Sequence, residues 1–172
     1  MSTLHVTNHA HATKDRLTML RSISAARYQA KFARSACAWL LIDGVGIEQW
    51  LAEHLDYEEA AMLGLSLIWL VHDEEQALAK RRWAPGEDGT STLLPLLVCS
   101  DDMDFDCTVL MVEQVVADGL ITWERFGMSV SSGLEVGIQT RWMTDCQPVS
   151  FAAADFQQAL EDFATILATQ LT

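Results

Sequence analysis

Residues 99–107 read Cys99-Ser100-Asp101-Asp102-Met103-Asp104-Phe105-Asp106-Cys107, four carboxylates and two thiols in nine positions. Asp102, Asp104, Asp106 and Glu113 stand at positions 1, 3, 5 and 12 of a calcium-loop template. Position 6 needs glycine for its sharp turn and is Cys107 here, and the residues after it have strand composition. A catalytic carboxylate pair requires one member whose pKa is lifted by burial or by a like charge. The neighbouring residues select no such member, so no catalytic residue is assigned. Two readings weigh equally: a polar connection whose aspartates cap turns, or an exposed acidic edge that receives a basic protein.

Two further acidic groups resemble this segment in kind. Asp73-Glu74-Glu75 follows a run of Trp and aliphatic residues, and Glu87-Asp88 lies in a loop-forming stretch at residues 84–91. Each alone is a solvated face. Together, Asp73, Glu74, Glu75, Glu87, Asp88, Asp101, Asp102, Asp104 and Asp106 form the candidate partner-binding set, one negative surface if the fold brings them together. The cysteines at 37, 99, 107 and 146 include no C-x-x-C pair and no zinc-module spacing. Cys99 and Cys107 face each other if their strands pair directly, and buried free thiols are the expectation. No metal site and no cofactor are expected. The chain also lacks H-E-x-x-H, G-x-S-x-G, a Walker loop and a dinucleotide fingerprint.

Charge narrows the choice of partner. The 172 residues carry 24 acidic and 11 basic side chains, a formal net charge of −13. Residues 1–35 hold six of the basic side chains and one acid, a net of +5, so residues 36–172 carry −18. A body this acidic repels nucleic acid and anionic membranes, and attracts basic proteins at enhanced rates. Half of the residues are hydrophobic, with six Trp and six Phe, which excludes intrinsic disorder for the bulk. No stretch reaches the roughly 20 apolar residues of a membrane span. The first apolar run, at 38–42, is too short and too late for a secretory signal, and a reducing cytoplasm is the expected compartment.

The elements that must position these groups follow from periodicity. Residues 1–12 show none and read as a mobile tail, leaving 13–172 as a single α+β domain. A helix is expected over 14–41, because Met19, Ile23, Ala26, Ala30, Ala33, Cys37 and Leu40 recur at steps of three and four. Asp43-Gly44 ends it. Further helices are expected over 47–54, 58–71 and 73–82. From Leu93 the composition turns to strands at 94–99, 107–116 and 120–126, with a hairpin signal at Asp118-Gly119. Strands at 135–143 and 148–151 and a final helix from Ala153 complete the pattern. The expected architecture is N-terminal helices, a central antiparallel sheet of about three to five strands, and a C-terminal covering helix.

The strings IDGVGIEQWL (42–51), LLPLLVCSDDMDFDCTVLMVEQ (93–114) and ITWERFG (121–127) resemble segments of small bacterial immunity proteins. Such proteins accompany contact-dependent growth inhibition and related polymorphic toxins. The resemblance implies a cytoplasmic, non-enzymatic α+β protein that binds and neutralises one cognate toxin domain, often a basic nuclease. Contact residues differ between such proteins, so the resemblance assigns no binding residue. Two alternatives belong to other classes. One is a small metal-dependent hydrolase using the carboxylates at 101–106; the other is a structural subunit that oligomerises through its N-terminal helix.

Overall fold

The computed structural model describes residues 19–170, so the expected tail at 1–12 and the first residues of the expected N-terminal helix lie outside the described residues. From residue 23 that helix is replaced by strands. β1 (Ile23–Tyr28) and β2 (Cys37–Ile42) form an antiparallel hairpin, and β2 turns directly into β3 (Val45–Gly46). The alanine-rich stripe satisfied a helical period. The run at 38–42, however, is buried at four of its five positions and needs neighbours on both faces. A short apolar run of this kind fits a strand as well as a helix, and the flanking turn decides between them. Asp43 and Gly44 both take positive φ, 50° and 79°, the pair of conformations that a two-residue hairpin loop requires. Asp43 also accepts hydrogen bonds from the Ser22 backbone N–H at 3.0 Å and the Ser22 hydroxyl at 3.2 Å, tying the turn to the start of β1.

β3 runs into α1 (Ile47–His54), and a 3₁₀ turn (Glu58–Met62) leads to β4 (Leu63–Leu65). The helix expected over 58–71 is thus one turn followed by a strand. Gly64 explains the change: the Trp69 ring lies across it so closely that no side chain fits there. α2 (Asp73–Trp83) follows, then β5 (Ser91–Cys99), β6 (Val109–Ala117) and β7 (Leu120–Ser129). β8 (Thr140–Trp142) and β9 (Val149–Ala152) share the outer edge of β7, β9 pairing with its first half and β8 with its last three residues. The main sheet therefore has six antiparallel strands, one more than the upper expectation, in the order β4-β5-β6-β7-β8 with β9 also on β7. The β6–β7 hairpin turns through Asp118 and Gly119, at φ 55° and 75°. α3 (Ala153–Gln170) is the covering helix; it packs against β1 and β2 and also touches β7 and β9, joining the two sheets.

Three buried tryptophans anchor the interior: Trp39, Trp83 and Trp123. A buried indole N–H needs an acceptor, and each has one. Trp83 donates to the Ser66 hydroxyl at 2.8 Å and Trp123 to the Gln114 side-chain carbonyl at 3.0 Å. Trp39 donates to the fully buried Glu48 at 3.0 Å, while the Tyr28 hydroxyl donates to the same carboxylate at 2.9 Å. Burial, and then Glu48, pushes the Tyr28 phenol up to about 12. Among the described residues no helix is long and apolar enough to cross a membrane.

Candidate functional site

The first turn of α2 carries Asp73, Glu74 and Glu75, and its last turn carries Lys80, Arg81 and Arg82. This polarity opposes the helix dipole at both ends and stabilises the helix by a few tenths of a kcal/mol per charge. The β5–β6 connection, residues 100–108, folds over the N-terminal end of α2. Its Phe105 side chain is buried, and the Phe105 backbone N–H donates to both Glu75 oxygens at 3.3 and 3.4 Å. Two further hydrogen bonds complete the attachment: the Val71 N–H donates to the Met103 carbonyl at 3.1 Å, and the Trp69 indole N–H to the Ser100 carbonyl at 3.0 Å.

Glu75 is therefore a structural carboxylate, 6% exposed. Burial raises its pKa above the usual carboxylate range. The Phe105 hydrogen bond and His72 oppose that rise, and Asp104 and Asp106 add to it. The connection also has a turn-capping aspartate, because the Asp106 N–H donates to the Asp104 carboxylate at 3.0 Å. Asp73, Glu74, Asp101, Asp102 and Asp106 remain exposed.

Beside these carboxylates lies an open cleft of about 520 Å³, lined by Val71, His72, Asp73, Glu74, Glu75 and, across from them, Gly133 and Leu134. Its rim is apolar as well as acidic, with Val71 52% and Leu134 51% exposed. Leu134 belongs to the β7–β8 connection, which also exposes Val130 and Ile138. Sequence reasoning missed these three because hydrophobicity alone does not separate an exposed aliphatic residue from a buried one. The connection is held firmly. Ser129 donates to the Ser131 carbonyl and Ser131 to the Glu135 carbonyl, both at 2.6 Å. The Val130 N–H closes the loop on the Gln139 carbonyl at 2.7 Å.

The nine candidate residues do not share one surface. Asp73, Glu74, Glu75, Asp101, Asp102, Asp104 and Asp106 gather around the N-terminal end of α2 and the Cys99 end of β5. Glu87 and Asp88 lie at the Ser91 end of β5, roughly 26 Å away along a nine-residue strand. There Asp88 accepts the Asp118 backbone N–H at 3.0 Å and supports the β6–β7 hairpin turn. Glu113 is distant from the aspartates too. It sits within β6 and pairs with Arg125 at 3.1 Å, so it cannot close a calcium loop on Asp102.

Cys99, at the end of β5, and Cys107, just before β6, come together with Asp102, their sulfur and carboxylate atoms all lying within 4.8 Å of one another. Both cysteines are free, and Cys107 is exposed. Contacts with Cys99 and Asp102, followed by burial, raise the Cys107 thiol pKa. No family model, curated protein or solved structure matches this chain.

Proposed function

We propose that the chain is an immunity-type inhibitor, a non-enzymatic protein that binds a basic toxin domain in the cytoplasm of the cell that makes it. The observation carrying this reading is the cleft at the N-terminal end of α2, where exposed Asp73 and Glu74 stand beside exposed Val71 and Leu134. Carboxylates steer a basic partner into contact, whereas desolvated apolar side chains at the centre of an interface supply most of the affinity. The hydrogen-bonded β7–β8 connection holds Leu134 before any partner arrives, which lowers the ordering cost of association. A nuclease fits this surface, because it is basic where it holds phosphates and an acidic protein competes for that site.

The test pairs the full chain with the C-terminal domain of a toxin encoded beside it. Calorimetry should give a one-to-one complex, and co-expression should protect cells from that domain. No heat and no protection would sink the proposal. Glu113, held in β6 by its pairing with Arg125, is out of reach of a calcium-type ligand set with Asp102. The oligomerising helix loses its described part to the β1–β2 hairpin.

A further inference from the structure

We propose that Cys99, Cys107 and Asp102 form a mononuclear site for a borderline-soft divalent cation of the zinc class. Two sulfurs and a carboxylate oxygen already lie within 4.8 Å of one another. A tetrahedral zinc ion with bonds of roughly 2.3 Å to sulfur and 2.0 Å to oxygen separates its ligands by about 3.5–3.8 Å. The remaining ångström is within reach of side-chain rotation, since Asp102 and Cys107 are exposed and the Cys107 sulfur has only a long contact of 3.8 Å to the Thr108 hydroxyl to give up.

The backbone brings the three together. The register Val98↔Val109 continues through the Cys99 N–H, which donates to the Thr108 carbonyl at 3.0 Å. The chain then doubles back, with the Met103 N–H on the Cys99 carbonyl at 2.9 Å and Met103 at φ 54°. That reversal sets Asp102 beside both cysteines. The far half of the connection is fixed by buried Phe105 and by Glu75, so the geometry does not depend on the ion.

The donor set selects the cation class. Two thiolates favour zinc and its soft neighbours over calcium and magnesium, which take oxygen ligands. Three protein ligands leave a fourth position for water, as in open zinc sites. A disulfide between Cys99 and Cys107 is the competing fate of the two sulfurs, but it gives no role to the Asp102 carboxylate, which a dication uses. The proposal is independent of partner binding at the cleft.

The experiment adds cobalt(II), then zinc, to the reduced full-length chain. One equivalent of cobalt should produce thiolate-to-cobalt absorption in the near ultraviolet, and zinc should abolish it. Zinc should also slow alkylation of two of the four thiols at least about tenfold, with peptide mapping placing the protection at Cys99 and Cys107 rather than Cys37 and Cys146. Cys107→Ser should remove the absorption. Asp102→Asn should weaken binding about tenfold or more, with near-ultraviolet circular dichroism unchanged in both variants. Absorption that never appears, absorption that survives Cys107→Ser, or an Asp102→Asn variant that binds normally would each overturn the assignment. So would reduced chain that takes up no metal yet forms the Cys99–Cys107 disulfide once the reductant is withdrawn.

Discussion

Buried carboxylates in this protein divide by what they accept. Glu48 takes hydrogen bonds from an indole and a phenol, and both donors lose their partner if it is truncated. Glu48→Ala should therefore cost about 3 kcal/mol, since a buried donor left unsatisfied costs roughly 1–3 kcal/mol and the half-buried Tyr28 hydroxyl adds a smaller loss to that of the buried Trp39 indole. Urea unfolding followed by tryptophan fluorescence measures the change. Glu75 is different because its folded-state pKa is raised mainly by burial. A carboxylate raised in this way contributes stability that is fully present below its unfolded pKa and is lost as pH rises through the folded value. Glu75→Gln removes that loss and keeps an oxygen for the Phe105 N–H. The variant should gain melting temperature relative to the parent as pH rises from below the ordinary carboxylate range toward neutrality. A difference that stayed constant across that range would show that Glu75 is not the titrating group.

At the scale of elements, the sequence was most legible where a local signal and the tertiary environment agreed. Asp118-Gly119 between two β-rich runs marked a hairpin, and the two residues adopt the positive φ values which that turn demands. Gly119 has open space around it, so its requirement is conformational rather than steric. Gly119→Val should cost about 1–2 kcal/mol through left-handed strain alone, seen as a lower urea midpoint with an unchanged slope. The helices at α1, α2 and α3 were legible for the same reason, as each presents one face to the core. The β1–β2 hairpin was not. Its alanines imitate a helical stripe, and the β2 run is buried on both faces, which erases the alternation that identifies a strand. β4 was hidden because its pairing with β5 joins residues more than thirty positions apart. The candidate site was legible only in part. Acidic clusters are visible as composition, but the separation of Glu87 and Asp88 from the others depends on the length of β5. The meeting of Cys99, Asp102 and Cys107 depends on a chain reversal at Met103.

For the whole molecule, the question is whether net charge or its location governs association. The −13 total is a property of the whole chain, whereas the cleft rimmed by Val71 and Leu134 lies at the α2 end alone of the two acidic ends described above. Two double variants separate these effects. Asp73→Asn with Glu74→Gln removes two negative charges at the cleft; Glu87→Gln with Asp88→Asn removes two at the opposite end of β5. Asn at 88 keeps an acceptor for the Asp118 N–H, so the distant pair leaves the hairpin turn supported. Both variants have the same net charge, and a purely global attraction would slow binding to a basic toxin domain equally in each. Steering into the cleft predicts a different result. The α2 pair should slow association about tenfold at low salt and flatten its salt dependence, while the distant pair should change it little. Val71→Ala with Leu134→Ala should act on the other rate, speeding dissociation about tenfold for a loss of roughly 1.4 kcal/mol with association nearly unchanged. Stopped-flow mixing over a salt series reads both constants. If the two charge pairs slow association alike, the cleft is not the docking surface, and the acidity of the body acts only through its sum.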